Sequence, residues 1–304
     1  MANYNLKREA QVYLEFPKDS GTVIILDVEP NITFSQTFTD KAYPQKTLHE
    51  QHKMHEASNI KKANPANFEF TVPALNENDL DTVFNLLVDF ASGTNTLNTF
   101  NLFIKFNNGT TYKLETCIIT SGTFIIEKLE NLRLAISGEG AKLITSGVSV
   151  PSTPTRGTRT PLRITHLFLK IAGVTLNSSV FKVSVELQND IQWTPYETVN
   201  DALSVTNATT SMYPSNFTLQ KRILSGSIEQ YITSDFNSDL QQWETGVTVD
   251  IQAGTSATKG FQFDIENCTF TNRLNVDEAF KQNYDWRMNQ NPTDLGTIIK
   301  FNNI

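Results

Sequence analysis

Short stretches of alternating apolar and polar residues dominate the chain. "VYLEF", "TVIILDV", "NFEFTV", "FNLFIKF", "YKLETCII" and "TFIIEKL" are rich in β-branched and aromatic residues and are bounded by Gly, Asn and Pro. A period of two with such boundaries predicts half-buried β-strands. One stretch has a different period. In "NDLDTVFNLLVDF", Leu80, Val83, Phe84 and Leu87 fall on one face of a helix. Asn78 is placed to cap it, and Asp79 and Asp81 suit the positive end of its dipole.

The second half repeats the order of the first. "PNITFS" (30–35) answers to "NDIQWT" (189–194) at an offset of 159. "ANFEFTVPALNENDL" (66–80) aligns without a gap to "GSIEQYITSDFNSDL" (226–240), which sets Phe68 against Ile228 and Glu69 against Glu229. "YKLETC" (112–117) answers to "FDIENC" (263–268), so the two cysteines, Cys117 and Cys268, fall at one point of the two repeats. Chance alternation in an all-β chain could produce any one of these matches. Their shared order predicts an internal duplication. Between the halves, "SGVSVPSTPTRGTRTP" (146–161) has three Pro and no acidic residue and reads as an extended linker with little to bury. The expected division is a first domain at 1–145, the linker at 146–161 and a second domain at 162–304.

Composition narrows the function classes. At 304 residues with 39% hydrophobic and 19% charged positions, the chain can bury two ordinary cores. Its net charge of −7 is spread evenly, with 13 Lys/Arg against 17 Asp/Glu in residues 1–150 and 12 against 15 in 151–304. Neither half has the basic balance of a protein that grips nucleic acid. "MANYNLKREAQVYLEF" has no apolar run of signal-peptide length, and no segment reaches membrane-spanning length. Two cysteines make no disulfide framework, so folding in a reducing cytoplasm without membrane contact is expected.

The strongest candidate for chemistry is "LHEQHKMHEASN" (48–59), which holds His49, His52 and His55 beside Glu50 and Glu56. On a helix, steps of three would keep the imidazoles on roughly one face, where zinc could bind. The spacing is not that of a metalloprotease, whose two histidines stand four apart. The segment is also polar and lacks apolar partners. No Gly-rich phosphate loop, G-x-S-x-G or Cys–His motif occurs, and Cys117 and Cys268 read as small buried strand residues. These observations predict no catalytic residue, no metal and no cofactor.

"RITHLFLKIAGVTL", "FKVSVELQNDIQW", "ILSGSIEQYI" and "YKLETCIITSGTFIIEKLENLRLAISGEGAKLI" together resemble the tail tube (major tail) proteins of long-tailed bacteriophages. The likeness is to siphophage members with a duplicated tube domain. "LSGSIEQYI" (224–232) resembles that family's small-Gly-small barrel strand, and "SGEG" (137–140) its closing strand. The resemblance implies a mainly β fold of two tandem domains. Each would be a β-barrel or sandwich of two packed sheets with one α-helix and long loops. It implies three chains per pseudo-hexameric ring, stacked head to tail into a tube. The partners would be other copies of the chain, the tape measure, tail terminator and tail-tip proteins, and phage DNA in transit without specific binding. The expected location is the virion tail, assembled in the host cytoplasm.

Within that resemblance the histidine segment falls in a loop over 40–64 that would touch the next ring. The repeated strand would line the lumen. In the first half Phe68, Phe70 and Val72 point one way, opposite Asn67, Glu69 and Thr71. In the second, Ser227, Glu229 and Tyr231 lie opposite Ile228 and Ile232. Glu69, Thr71, Ser227, Glu229 and Tyr231 are therefore the expected lumen residues, with Glu69 and Glu229 at one height of a negative wall. Two other classes stand beside the tube: a carbohydrate-binding β-sandwich of a virion surface, and a metal-dependent enzyme using the histidine loop.

Overall fold

The computed structural model describes residues 6–44, 56–74, 80–94, 96–127, 130–155, 159–176, 179–193, 212–233, 243–276, 279–289 and 295–303. In the first half the elements are β1 (Gln11–Glu15), β2 (Val23–Leu26), β3 (Thr33–Ser35), β4 (Phe38–Pro44), β5 (Glu56–Ala63) and β6 (Ala66–Pro73). Then come α1 (Leu80–Val88), β7 (Phe100–Lys105), β8 (Thr111–Glu127), β9 (Arg133–Gly140) and β10 (Lys142–Ile144). The second half contains β11 (His166–Ile171), β12 (Val174–Thr175), β13 (Val180–Trp193), β14 (Phe217–Tyr231), β15 (Trp243–Ser256), β16 (Lys259–Val276), β17 (Phe280–Met288) and β18 (Ile299–Asn303).

The predicted helix forms as α1, and its four predicted apolar positions, Leu80, Val83, Phe84 and Leu87, are all buried. The 40–64 loop is shorter than expected. Its flanks pair as a separate antiparallel ribbon of β4 and β5, from Phe38 opposite Ala63 to Pro44 opposite Glu56. Threonine, tyrosine and isoleucine in these flanks favour a pleated strand over an open loop. His49, His52 and His55 lie outside the described residues.

The hydrogen-bonded strand order in the first half is β2-β1-β7-β8-β9-β6-β3, with β10 also beside β8. In the second it is β12-β11-β15-β16-β17-β14-β13, with β18 beside β16. Each strand in one list has a counterpart at the same place in the other. The two longest central strands, β8 and β16, even bend at the same point. The register slips between Leu114 and Cys117 on β8, and between Ile265 and Cys268 on β16. The residue before each cysteine takes a left-handed backbone, φ 52° at Thr116 and 55° at Asn267. A bulge of this kind turns a strand from one set of neighbours to another. Accordingly, β8 pairs with β7 and β10 before the bend and with β9 and β13 after it. A buried side chain holds the first bend: Asn101 accepts from the Thr116 N–H at 3.2 Å and donates to Glu15 at 2.7 Å.

Strand β13 leaves the second half and pairs with β8 of the first, from Lys182 opposite Glu127 to Gln188 opposite Ser121. This joins both halves into one sheet of sixteen strands, which does not close into a barrel among the described residues. The packed layers form a sandwich. One apolar core runs through both halves. At the junction Phe124 of β8 meets Phe84 of α1 at 5.3 Å between ring centroids, and Phe261 and Phe263 of β16 at 5.2 and 4.9 Å. The 146–161 segment buries more than its composition suggests. Val148 and Val150 pack against a small cluster of Tyr13, Val23 and Phe103, and Arg159 donates to Asp27 at 2.8 Å.

Candidate functional site: the polar face of the sheet

Alternation along each central strand sends one set of side chains to the core and the other to a polar face. On β6 Phe68, Phe70 and Val72 are buried, while Asn67 and Glu69 are exposed on the opposite side. Directly opposite residues in a sheet share a face, so the register extends this face across eight strands. Glu69 lies between Thr33 on β3 and Ser137 on β9. Ser137 shares a hydroxyl hydrogen bond with Ser121 on β8 at 2.7 Å, and Ser121 stands opposite Gln188 on β13. Further along, Ser184 on β13 and Ser227 on β14 make the same hydroxyl contact at 2.8 Å, and Ser227 faces Asp285 on β17.

Four of the five expected lumen residues keep an open side on this face. Glu69 and Tyr231 are exposed, and Ser227 and Glu229 are half-buried. Tyr231 stacks against Phe181, with ring centroids 4.5 Å apart. Thr71 is buried: Asn31 folds over it, donating to its hydroxyl at 2.8 Å and accepting from its backbone N–H at 3.2 Å.

The register corrects the height assigned to these residues. Phe68 stands opposite Gly138, and Gly226 stands opposite Trp286. Gly138 and Trp286 occupy the same place, each paired with the residue two beyond the cysteine of its half, Ile119 or Phe270. Phe68 therefore corresponds to Gly226, and Glu69 to Ser227 rather than to Glu229. A shift of two leaves the faces of a strand unchanged but moves every residue along it, so the hydrophobic pattern alone could not detect the slip. The "NITF" and "DIQW" segments show a larger discrepancy. Phe34 faces Phe68 and Val185 faces Gly226, so Phe34 corresponds to Val185.

The face is not uniformly acidic. Lys182 stands opposite both Glu127 and Glu229 and lies 3.8 Å from the latter. Lys221 pairs with Asp190 at 3.4 Å, and Arg273 with Asp285. Beside Glu69, an open groove of about 350 Å³ holds a second carboxylate, Glu139. Burial raises the pKa of Glu139 above the usual carboxylate range, and a hydrogen bond at 2.7 Å from the Trp193 indole N–H partly offsets this. Among the described residues no three His, Cys, Asp or Glu side chains converge as metal ligands. Cys117 and Cys268 are buried, and burial pushes the Cys268 thiol up to about 12 and the Cys117 thiol higher still. A thiol held protonated is neither a nucleophile nor a metal ligand.

Two features gave no signal in the sequence. Arg222 and Asn189 of the second half grip the end of α1 in the first. At the far end of β16 and β17, Leu274, Val276 and Phe280 stand in solvent.

A two-layered antiparallel sheet with a continuous polar face, and no convergent metal ligands among the described residues, is the geometry of a wall. The model of the Bacteriophage Baseplate Tube Protein Family matches residues 2–304. The chain belongs to that family. A comparison with curated proteins gives no match. As a baseplate tube protein the chain is a structural component of a phage tube and of the virion, in a family that is not one of enzymes. The resemblance to tail tube proteins pointed to the same kind of object. The family match is to the tube of the baseplate.

Proposed function

We propose that three copies of the chain close into a pseudo-hexameric ring, and that rings stack head to tail into a tube through which phage DNA passes. In this reading the chain arose by duplication of one tube domain. The identical strand order of the two halves supports it, as do the matching bends before Cys117 and Cys268. A ring that alternates first and second halves presents two similar surfaces to each neighbour, as six-fold packing requires. The observation that carries the proposal is the uninterrupted polar face, built from β3, β6, β9, β8, β13, β14, β17 and β16. In a ring this face turns inward, because the opposite face is covered by α1 and by the remaining strands.

The interspersed charges suit a conduit. A wall of cations would hold DNA, since each neutralised phosphate adds about 0.9 to the salt slope of binding. Here Lys182, Lys221 and Arg273 each have a carboxylate within reach. The partners in this reading are other copies of the chain, the tape measure, and the terminator and tip proteins at the tube's ends. In this reading the 40–64 segment touches the next ring, and its His49, His52 and His55, which lie outside the described residues, hold no metal. Electron microscopy of the purified chain, with mass measurement of the particles, tests the proposal. Rings of three chains or stacked tubes are expected; rings of six chains, or monomers at every concentration, overturn it.

A further inference from the structure

The two halves match strand for strand, yet one edge is treated differently in each. In the first half the end of β8 has β9 on one side and β13 on the other. In the second half the end of β16 has β17 on one side. On its other side the described part of β15 pairs as far as Thr271, opposite Trp243. Beyond that point no strand pairs with that edge of residues 273–276 among the described residues. The side chains register the difference. Leu274, Val276 and Phe280 correspond through the register to Phe124, Ile126 and Leu132. Those three are 0%, 2% and 0% exposed, whereas Leu274, Val276 and Phe280 are 56%, 64% and 54% exposed. Three apolar residues thus stand in water at the positions where the first half has core.

What covers the first-half positions identifies what would cover the second. Strand β13, the first half's cover, pairs Val185 with Phe124 and Ser184 with Ile125. Its counterpart is β3, where Phe34 corresponds to Val185 and Thr33 to Ser184. Strand β3 is itself an edge: among the described residues it pairs with β6 alone, and Thr33 and Ser35 are exposed. The ring contact beside it is prepared as well. Phe124 packs on Phe263 at 4.9 Å, and the first-half counterpart of Phe263 is Tyr112, which lies 5.5 Å from Phe34. An exposed apolar edge and a second exposed edge of matching register on one chain are the two sides of a heterologous contact.

We propose that the copies join by pairing the end of β16 of one chain with β3 of the next. In this register Phe34 faces Leu274, Thr33 faces Asn275 and Ser35 faces Arg273, repeating between chains the β13–β8 contact made within each chain. Leu274 and Val276 then pack against Phe34 and Tyr112 of the neighbour. The inference rests on the ring reading and specifies its joint.

A double variant, Thr33→Cys with Asn275→Cys, tests it, because the two native cysteines are buried and do not compete. After mild oxidation of assembled protein, a covalent trimer is expected on a non-reducing gel from the double variant and from neither single variant. A second variant, Leu274→Asp with Val276→Asp, should raise the concentration needed for assembly about tenfold or more, since it places unpaired carboxylates in a dry contact. Rings of the parent protein without cross-links, together with undiminished assembly of the aspartate variant, would overturn this joint and leave the ring reading standing. A ladder of cross-linked species beyond three would confirm the joint and overturn the closed ring of three. A parent protein that never assembles would overturn both.

Discussion

Replacing Arg222 with alanine should unlock the two halves of the chain from each other. Arg222 projects from β14 and donates through Nη2 to the carbonyls of Leu87 and Val88 at 3.0 and 2.7 Å. Its Nε donates to Asn189 at 2.8 Å, and its guanidinium lies 4.7 Å from the centre of the Phe90 ring. The two carbonyls belong to the last turn of α1, where a helix has acceptors without partners of its own. Asn189, itself buried, donates to the Leu87 carbonyl at 3.1 Å and to Ile119 at 3.0 Å. Burial pushes the Arg222 pKa down to about 10, so the group remains charged at neutral pH. Hydrogen bonds from a charged donor contribute roughly 1.5–3 kcal/mol each, and the ring contact about 1 kcal/mol. Water can reach the half-buried site after truncation, so the loss falls short of the sum, on the order of 3 kcal/mol. Arg222→Lys keeps the charge but cannot span both carbonyls and Asn189, and should lose about half as much. Urea unfolding below the assembly concentration gives the stability change. Amide exchange should show α1 opening before the sheet. A change below ~1 kcal/mol for Arg222→Ala, or unchanged exchange in α1, would refute the clip.

Three other substitutions and reagents probe separate parts of the wall. A Cβ at Gly138 would come 2.2 Å from the Phe68 ring and 2.4 Å from the Ile118 carbonyl, and one at Gly226 would come 2.3 Å from the Ser184 carbonyl and 2.4 Å from Trp286. Alanine at either position should cost about 1–3 kcal/mol or more by thermal or urea unfolding, and a neutral result would show that the strands can spread. Glu139 has a raised pKa in the fold, so the native state holds its proton more tightly than the unfolded chain and stability from this group falls as pH rises through the carboxylate range. Glu139→Gln should flatten that part of the stability profile; an unchanged slope would remove Glu139 as its source. Cys117 and Cys268 should resist a thiol reagent in the native state and react only as fast as the sheet opens, so rapid labelling at neutral pH would contradict their burial.

Face assignment was legible in the sequence, and height was not. The alternation in "NFEFTV" placed Phe68 in the core and Glu69 on the polar side, as found. The helix was equally plain, because Leu80, Val83, Phe84 and Leu87 can share a face only at a helical period. Register failed for a specific reason. Phe68 has its counterpart in Gly226, and the glycine of the opposite strand, Gly138, has its counterpart in Trp286. One half fills the space between these strands with an aromatic on β6, the other with an aromatic on β17. Total volume is kept while the large residue changes sides, so residue-by-residue comparison is drawn to the wrong partners. The cations interspersed on the polar face were hidden for another reason. Lys182 belongs to β13, which is far from "NFEFTV" in sequence and reaches the face only through the joint between halves. The cysteines succeeded because each follows a bend that backbone geometry imposes at one place in each half.

The joint between halves also explains why two halves of matching strand order can differ at their outer edges. Within the chain, β13 reaches β8 at the high effective concentration that covalent linkage supplies, so that contact need not drive association. It can accept a charged clip, Arg222 of β14 gripping α1, whose cost of burial is met once, during folding. The proposed contact at the end of β16 would have no tether. It would have to gain enough from apolar burial to hold separate chains together, which is what Leu274, Val276 and Phe280 offer, without aggregating before the correct neighbour arrives. The same stretch carries Arg273, paired with Asp285, and Lys281, opposite Asn275. Charged residues at a sheet edge disfavour pairing with any strand that cannot accommodate them. In the register of the β13–β8 joint, Arg273 meets the small Ser35 and Asn275 meets Thr33, so the cognate edge is the one that leaves these side chains room on the polar face. A two-residue slip would instead set Arg273 against Thr33 and drive Leu274 against Ile32, which is already buried in its own half. In the proposed joint the edge would thus be selective for one register as well as adhesive, a requirement that falls only on a joint made between chains.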